Sequence, residues 1–577
     1  MPRVLIFMVL VALVRPLMAT TSGLPPSVPN YITSTAEVTA GVTPVQLGYP
    51  AGNVLRYGAD PTGAADSTLA IQAALNFAIS INGTVVIPQG SYKLTSRIVA
   101  TMPTATSSVS IIGSGAEGTR LVWAAGQGMQ INYIGAFNSA HVRDLSFLIS
   151  IAGSHAQRGL VLNQTGRGIL NPAVTALSDV TNCVFRGSDG YGLQFHWQTG
   201  LYIQSVSNVN ITNDYFSGAN TPSTAGIGIA LTGASATTIG VAYDILGSTF
   251  TDLALGIDYL SNIQGVTVSQ SNFTGVQTAI QVPSPATNDN QLTVTGNQIS
   301  APGVAILAQE YVPNIQISTN VIFVGTTANN TGVELANAGL YTITGNIFGA
   351  PSPTFISSSR GVSIDSTNRL ISAGVVSGNV FQAMGVGINL ASGSSNVMVQ
   401  ANAFTGGVLS VKDDGSNNLV TDNPRHDGSF QPVTIVKPSD QAVSSTTMTN
   451  DTALLMPLVA PATYTVDCLL FSDGTTTAGM GEKIGFFYSG TYTSSAISGR
   501  AMVGGVQTLL NAQPATRSPL FQTANISTTN PNDTIQFYGF LITATPGNFG
   551  LQWSQNTSTA SALTMRRGSR CTFTRTA

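Results

Sequence analysis

With 577 residues the chain is long enough for two or three domains, and its 43% apolar residues can supply a sizeable core. Charged residues are only 8% of the chain, against about 25% in ordinary globular proteins. A formal net charge of -3 without a Lys/Arg cluster argues against nucleic acid or an anionic membrane as the main partner. A surface solvated by hydroxyls and amides suits a neutral, hydroxyl-rich partner such as a glycan.

Val4 to Val14 form an apolar run after Arg3, too short to span a bilayer. Residues 1–19 read as a signal peptide or an apolar virion anchor, although Leu17 departs from the small residue expected before the cut. Residues 20–52, rich in Thr, Ser, Pro and Gly, read as a linker or adaptor. Next come Val54-Leu55-Arg56-Tyr57-Gly58-Ala59-Asp60-Pro61 and a helix with Ile71, Ala74, Leu75 and Ala78 at helical spacing, N-capped by Asp66 or Ser67. Val85-Val86-Ile87-Pro88, Gly90, Tyr92 and the later Ile111-Ile112-Gly113 supply the first strands.

This opening closely resembles that of the pectate-lyase-like parallel β-helix superfamily, in the branch of phage tailspikes and polysaccharide-degrading enzymes. The resemblance covers about residues 53–425. It implies a solenoid whose N-terminal helix caps the end, and, through the tailspikes, a homotrimer that meets phage tail or baseplate proteins. It leaves the reaction open, because such folds host hydrolases, lyases, epimerases and non-catalytic adhesins.

The middle of the chain repeats one phrase nine times, from Cys183-Val184-Phe185 through Asp214-Tyr215-Phe216, Ser248-Thr249-Phe250, Ser271-Asn272-Phe273, Asn297-Gln298-Ile299, Asn320-Val321-Ile322, Asn346-Ile347-Phe348 and Asn379-Val380-Phe381 to Asn402-Ala403-Phe404. Copies stand 23 to 34 residues apart, the period of stacked repeats. A second phrase, glycine or alanine followed by apolar, polar and apolar residues, tracks it: Gly192-Leu193-Gln194-Phe195, Gly228-Ile229-Ala230-Leu231, Gly256-Ile257-Asp258-Tyr259, Ala279-Ile280-Gln281-Val282 and Gly332-Val333-Glu334-Leu335, continuing to Gly387-Ile388-Asn389-Leu390. Alternation of this kind predicts short strands with one face buried. The expected fold is all-β: a right-handed single-stranded parallel β-helix over residues 53–425, with Phe and Ile stacked inside and polar columns outside.

Acidic residues are scarce in the solenoid, so outward ones are informative. Aligning the second phrase puts Gln194, Ala230, Asp258, Gln281, Leu307, Glu334, Ser363 and Asn389 in one outward column. Asp258 and Glu334 share that face but stand three coils apart, roughly 14 Å at the strand spacing, too far to pair across one glycosidic bond. Asp244, Asp252 and Glu310 are possible partners. Asp258, Glu334 and Asp189 are the catalytic candidates. A second cluster, Arg186, Asp189, Tyr191, His196 and Trp197 with Asp214-Tyr215 one coil farther on, combines aromatic faces and hydrogen-bonding groups suited to sugars. Arg186 with His196 or Tyr191 would also suit a lyase acting on uronates. The bland alternatives are a turn at Asp189-Gly190, a Trp197 packed under a loop and a solvated Asp258.

Cys183 reads as a packed thiol, while Cys468 and Cys571 fall in predicted C-terminal strands and could pair. His141, His155, His196 and His426 are scattered, so neither a metal site nor a cofactor is expected. Asp422 to Gly428 read as a linker. From residue 431 to 577 longer alternating strands, such as Thr463 to Phe471 and Ile535 to Phe540, predict an antiparallel β-sandwich of jelly-roll type, similar to C-terminal domains of phage tail proteins.

The leading functional expectation is a phage or prophage tailspike that binds and depolymerises a bacterial capsular, exo- or lipopolysaccharide, located on the virion tail or outside the cell. The rivals are a secreted polysaccharide hydrolase or lyase, and a glycan-binding adhesin.

Overall fold

The computed structural model describes residues 30–575 apart from 125–126, 136, 152–156, 166–175, 220–225, 285–288, 326–329, 338, 350–355, 366–372, 422, 424–432, 459, 474–480, 504–505, 511–520 and 527–530. The signal or anchor reading of residues 1–19, His155, His426 and all of the 422–428 linker except Asn423 lie outside the described residues.

Short strands wind into a parallel solenoid with three faces. The first ladder stacks thirteen strands, from Thr84–Val86 to Leu419–Thr421. The second runs from Gly90–Leu94 through Val184–Gly187 and Thr249–Thr251; the third runs from Ile98–Thr101 through Thr199–Gln204 and Leu255–Tyr259. Both end in the long strands Val380–Leu390 and Ala403–Asp413, which cross from the second face to the third.

The repeated phrase marks the tight turn from first to second ladder. A residue with positive φ, such as Asn213, Gly247, Thr319 or Gly378, turns the chain. The next residue points inward and satisfies the backbone left open by the turn. Asn297 donates through Nδ2 to Asn320 Oδ1 at 2.9 Å and to Val268 O at 3.0 Å, and Asn320 Oδ1 also accepts the Asn297 N–H at 2.9 Å. Asn346, Asn379, Asn402 and Asn423 continue this ladder. Ser271, Ser248, Asp214 and Cys183 extend it in the other direction. Cys183 is accordingly buried, as expected.

Two residues on, the rings stack: Phe147, Phe185, Phe216, Phe250 and Phe273 follow at 4.5 to 5.0 Å, and Phe348, Phe381 and Phe404 form a second stack at 4.8 and 5.0 Å. Six of the seven repeat phenylalanines are fully buried, and Phe404 is partly buried near the end of the solenoid.

The helix Thr68–Ser80 packs Ile71, Ala74, Leu75 and Ala78 on the first coil. Asp66 Oδ1 accepts the Thr68 N–H at 3.0 Å, whereas Ser67 makes no capping bond. Upstream, within the segment read as a linker or adaptor, residues 30–52 are tied to the opening motif. Arg56, fully buried, pairs with buried Glu37 at 2.5 Å and donates to the carbonyls of Tyr31, Tyr49 and Ile32 at 3.0, 2.8 and 3.1 Å. Composition conceals this, because a single guanidinium supplies five donors.

The C-terminal region forms two antiparallel sheets around one core of Val466, Leu470, Ile484, Phe486, Phe537, Phe549, Trp553 and Phe573. Cys468 and Cys571 stand directly opposite in strands Ala462–Asp473 and Arg570–Arg575 and form a disulfide.

Candidate functional site

The loop 188–198 connects the second ladder, which it leaves after Gly187, to the third, which it enters at Thr199. Arg186, inside the loop's root, donates to Glu117 at 2.9 Å and to Gly187 O at 2.7 Å, and its guanidinium lies 4.6 Å from the Tyr191 ring centroid. Tyr191 donates to the same Glu117 and meets Tyr215 edge-on at 4.9 Å. Tyr191 is 45% exposed, so a ring fixed from behind by a guanidinium faces solvent. Burial and the Glu117 carboxylate push its hydroxyl up to about 12, keeping it a neutral donor. Glu117 and Tyr215 complete the platform; of its four members only Glu117 lies outside the cluster expected from the sequence.

Farther along the same loop Asp189 Oδ2 accepts the N–H groups of Gln194 and Phe195 at 2.9 and 3.1 Å, shaping the loop, and His196 is half-buried. Gly192 comes so close to Asp252 that a Cβ there would lie 2.6 Å from Oδ2. Asp252 is only half-exposed, and burial raises its carboxyl. The chain then turns into strand Leu255–Tyr259 of the same coil, which carries Asp258.

On the third ladder the outward column runs Tyr202, Ala230, Asp258, Gln281, Leu307, Glu334, Ser363, Asn389 and Lys412. The aligned column holds from Ala230 onward. It is corrected at its start: Gly192-Leu193-Gln194-Phe195 belongs to the loop, and the strand is Thr199–Gln204, so Tyr202 replaces Gln194. The mimic phrase misleads because the loop after Gly187 is longer than in other coils. Arg158 lies over the Tyr202 ring at 3.4 Å.

Asp258 is 6% exposed and its Oδ1 has no hydrogen-bond partner. Burial pushes its carboxyl up to about 6. Glu334 stands on the same column three strands farther on, as the alignment requires, and the two carboxyls are not a pair on one bond.

Two expected sugar contacts face inward. Trp197 is 2% exposed, donates Nε1–H to Phe147 O at 2.9 Å and meets Trp123 edge-on at 5.8 Å. Asp214 occupies the turn ladder, accepts the Cys183 N–H at 2.7 Å, and burial raises its carboxyl far above the usual range. Both are core residues because the packing inside a narrow solenoid takes a large ring or a short acceptor where they stand. Among the described residues no group of three or more His, Cys, Asp or Glu is placed to hold a metal ion.

Residues 51–281 match the family model described as rhamnogalacturonase A/epimerase, pectate lyase-like. No curated protein is significantly similar in sequence. Similar solved structures include the tailspike gp61 of Pseudomonas phage phi297, at 12% identity, covering 87% of this chain and 98% of that one with a TM-score of 0.46. A surface adhesin of Streptococcus pneumoniae, PfbA, is similar at 13% identity over 62% of this chain and 91% of its own, TM-score 0.38. The A-module of an Azotobacter vinelandii mannuronan C-5 epimerase is similar at 15% identity over 64% and 98%, TM-score 0.36. The stretch that matches the pectate lyase-like family model, residues 51–281, lies within a longer parallel β-solenoid.

Proposed function

We propose that the protein binds and hydrolyses a bacterial surface polysaccharide, with Asp258 as the general acid. The observation that carries this reading is the buried, unpartnered Asp258 carboxyl, held up to about 6, on an outward column between Ala230 and Gln281. A carboxyl that keeps its proton up to about pH 6 can deliver it to a glycosidic oxygen. Asp252, in the same coil and also raised by burial, is the proposed second carboxyl. Glu334 is assigned to a neighbouring sugar, and Tyr191 with Glu117 and Arg186 to a stacking subsite at the corner.

The location proposed is a phage or prophage tail, where the chain acts as a homotrimeric tailspike attached to tail or baseplate proteins. Its low charge and hydroxyl-rich surface support a glycan partner. The test is incubation of the full chain with capsular, exo- and lipopolysaccharide panels. New reducing ends alone support hydrolysis; ultraviolet absorbance of unsaturated uronates would turn the reading to a lyase, and binding without products to an adhesin. Light scattering that gives a monomer with full activity would overturn the trimer.

A further inference from the structure

The first ladder carries a column that holds none of the residues assigned to the glycosidic site. Ser110, His141 and Asp179 occupy it on three successive strands, Ser110 opposite His141 and His141 opposite Asp179. Their chain neighbours Ile111, Val142 and Val180 are buried in the core, so these side chains face outward. His141 Nδ1 bonds Asp179 Oδ2. Arg143 grips the same carboxylate, through Nε to Oδ1 at 2.6 Å and Nη2 to Oδ2 at 2.8 Å. Burial would raise the Asp179 carboxyl, but the bonds from Arg143 and His141 outweigh it and hold it well below the usual range. An ionised carboxylate on Nδ1 selects the imidazole tautomer whose Nε2 is a free base. Beyond Asp179 the column passes Asn210 and Asp244 and enters a groove of about 890 Å³ that Thr267, Thr293, Gln316 and Thr342 help to line.

We propose that Ser110, His141 and Asp179 are the nucleophile, base and orienting carboxylate of an acyl-ester hydrolase, acting on an O-acylated saccharide laid along this groove. The ester chemistry stands on the column alone; the saccharide rests on the glycan reading and on the hydroxyl and amide groups of Thr267, Thr293, Gln316 and Thr342, which share the groove with Asp244 and with apolar side chains such as Val266 and Leu340. Ser110 Oγ attacks the ester carbonyl carbon and its proton passes to His141 Nε2. The carbon–oxygen ester bond breaks, and that proton leaves with the sugar alkoxide as the free hydroxyl. Water, giving a proton to His141, then attacks the acyl-serine; the carboxylic acid departs and Ser110 regains its proton. Arg143 brings a fixed positive charge to the developing oxyanion. Ser110 and His141 backbones stand one strand spacing apart, roughly 4.8 Å, and the hydroxyl reaches Nε2 by a rotamer change in the substrate complex.

The experiment uses the full chain with p-nitrophenyl acetate and a fluorophosphonate probe, mapping the labelled peptide. Label at Ser110 is expected, with turnover falling about 100-fold or more in Ser110→Ala and His141→Ala and unchanged in the flanking Ser108→Ala, all melting as wild type. Asp179→Asn should lower kcat with little change in KM. A folded Ser110→Ala that keeps the wild-type rate, or a label that maps elsewhere or not at all, overturns the triad. Ser110-dependent hydrolysis of the ester probe without acetate release from acetylated polysaccharides retains the triad and overturns the saccharide substrate, a result separate from the fate of Asp258.

Discussion

Gly256 is empty because the ring of Phe273 in the next coil fills its place: a Cβ on Gly256 would lie 2.8 Å from Phe273 Cε1. The same holds for Gly332 under Phe348, Gly361 under Phe381 and Gly387 under Phe404, at 2.7, 2.4 and 2.4 Å from the ring. Where the next coil carries Ile299 or Ile322 instead, the position is Ala279 or Ala305. The two repeated phrases are thus one packing rule.

Gly361→Ala is expected to cost about 1–3 kcal/mol by overpacking, read from denaturant unfolding. Ile299→Phe should destabilise the wild type, and Ala279→Gly in the same chain should restore much of the loss. Additive effects of the two changes would refute the coupling.

Arg56→Met is expected to strand Glu37 and to destabilise the N-terminal end by about 3–5 kcal/mol. The Arg56 guanidinium holds the Glu37 carboxyl at about 2, below its ordinary 4.5. Its contribution is complete above about pH 4.5 and is lost as pH falls towards 2. Limited proteolysis within residues 30–52 across that window reads the release.

Much of the fold is legible in the sequence because Asn-x-Phe and Gly-apolar-polar-apolar are each dictated by a local need, a turn acceptor and room for a ring. The candidate site is less so. A third phrase, polar-apolar-polar, precedes several of the turns, as His141-Val142-Arg143, Asp179-Val180-Thr181, Asn210-Ile211-Thr212 and Thr267-Val268-Ser269. Aligning it would have placed His141 beside Asp179. Of the two readings of Trp197, a sugar platform or a ring packed under a loop, the structure has the packed one; rarity does not separate them, and periodicity says nothing about a single ring in a long loop. Glu117 belongs to no repeated phrase, and its partners Arg186 and Tyr191 lie two coils away.

Trp197→Ala is therefore expected to act on stability, by about 3–5 kcal/mol, with glycan affinity retained in protein that still folds. Tyr191→Ala should do the reverse, leaving the melting temperature near wild type and weakening glycan binding by about tenfold, or 1.4 kcal/mol. Calorimetric titration with oligosaccharides produced by digestion separates the two.

Asp258 gives an opposite sign in stability and activity. Its folded value of about 6 lies above its ordinary 3.8, so the native state holds the proton more tightly. Stability falls as pH rises from about 3.8 to 6, and the penalty is complete above 6. Asp258→Asn should consequently melt higher than wild type at pH 7 and equally at pH 3.

The most direct test of the account is the rate at which Asp258→Asn releases reducing ends from the polysaccharide that the wild type degrades. The expected result is a loss of about two orders of magnitude or more with binding intact, and a wild-type rate that declines as pH rises past about 6. A folded Asp258→Asn variant cleaving at the wild-type rate would contradict it.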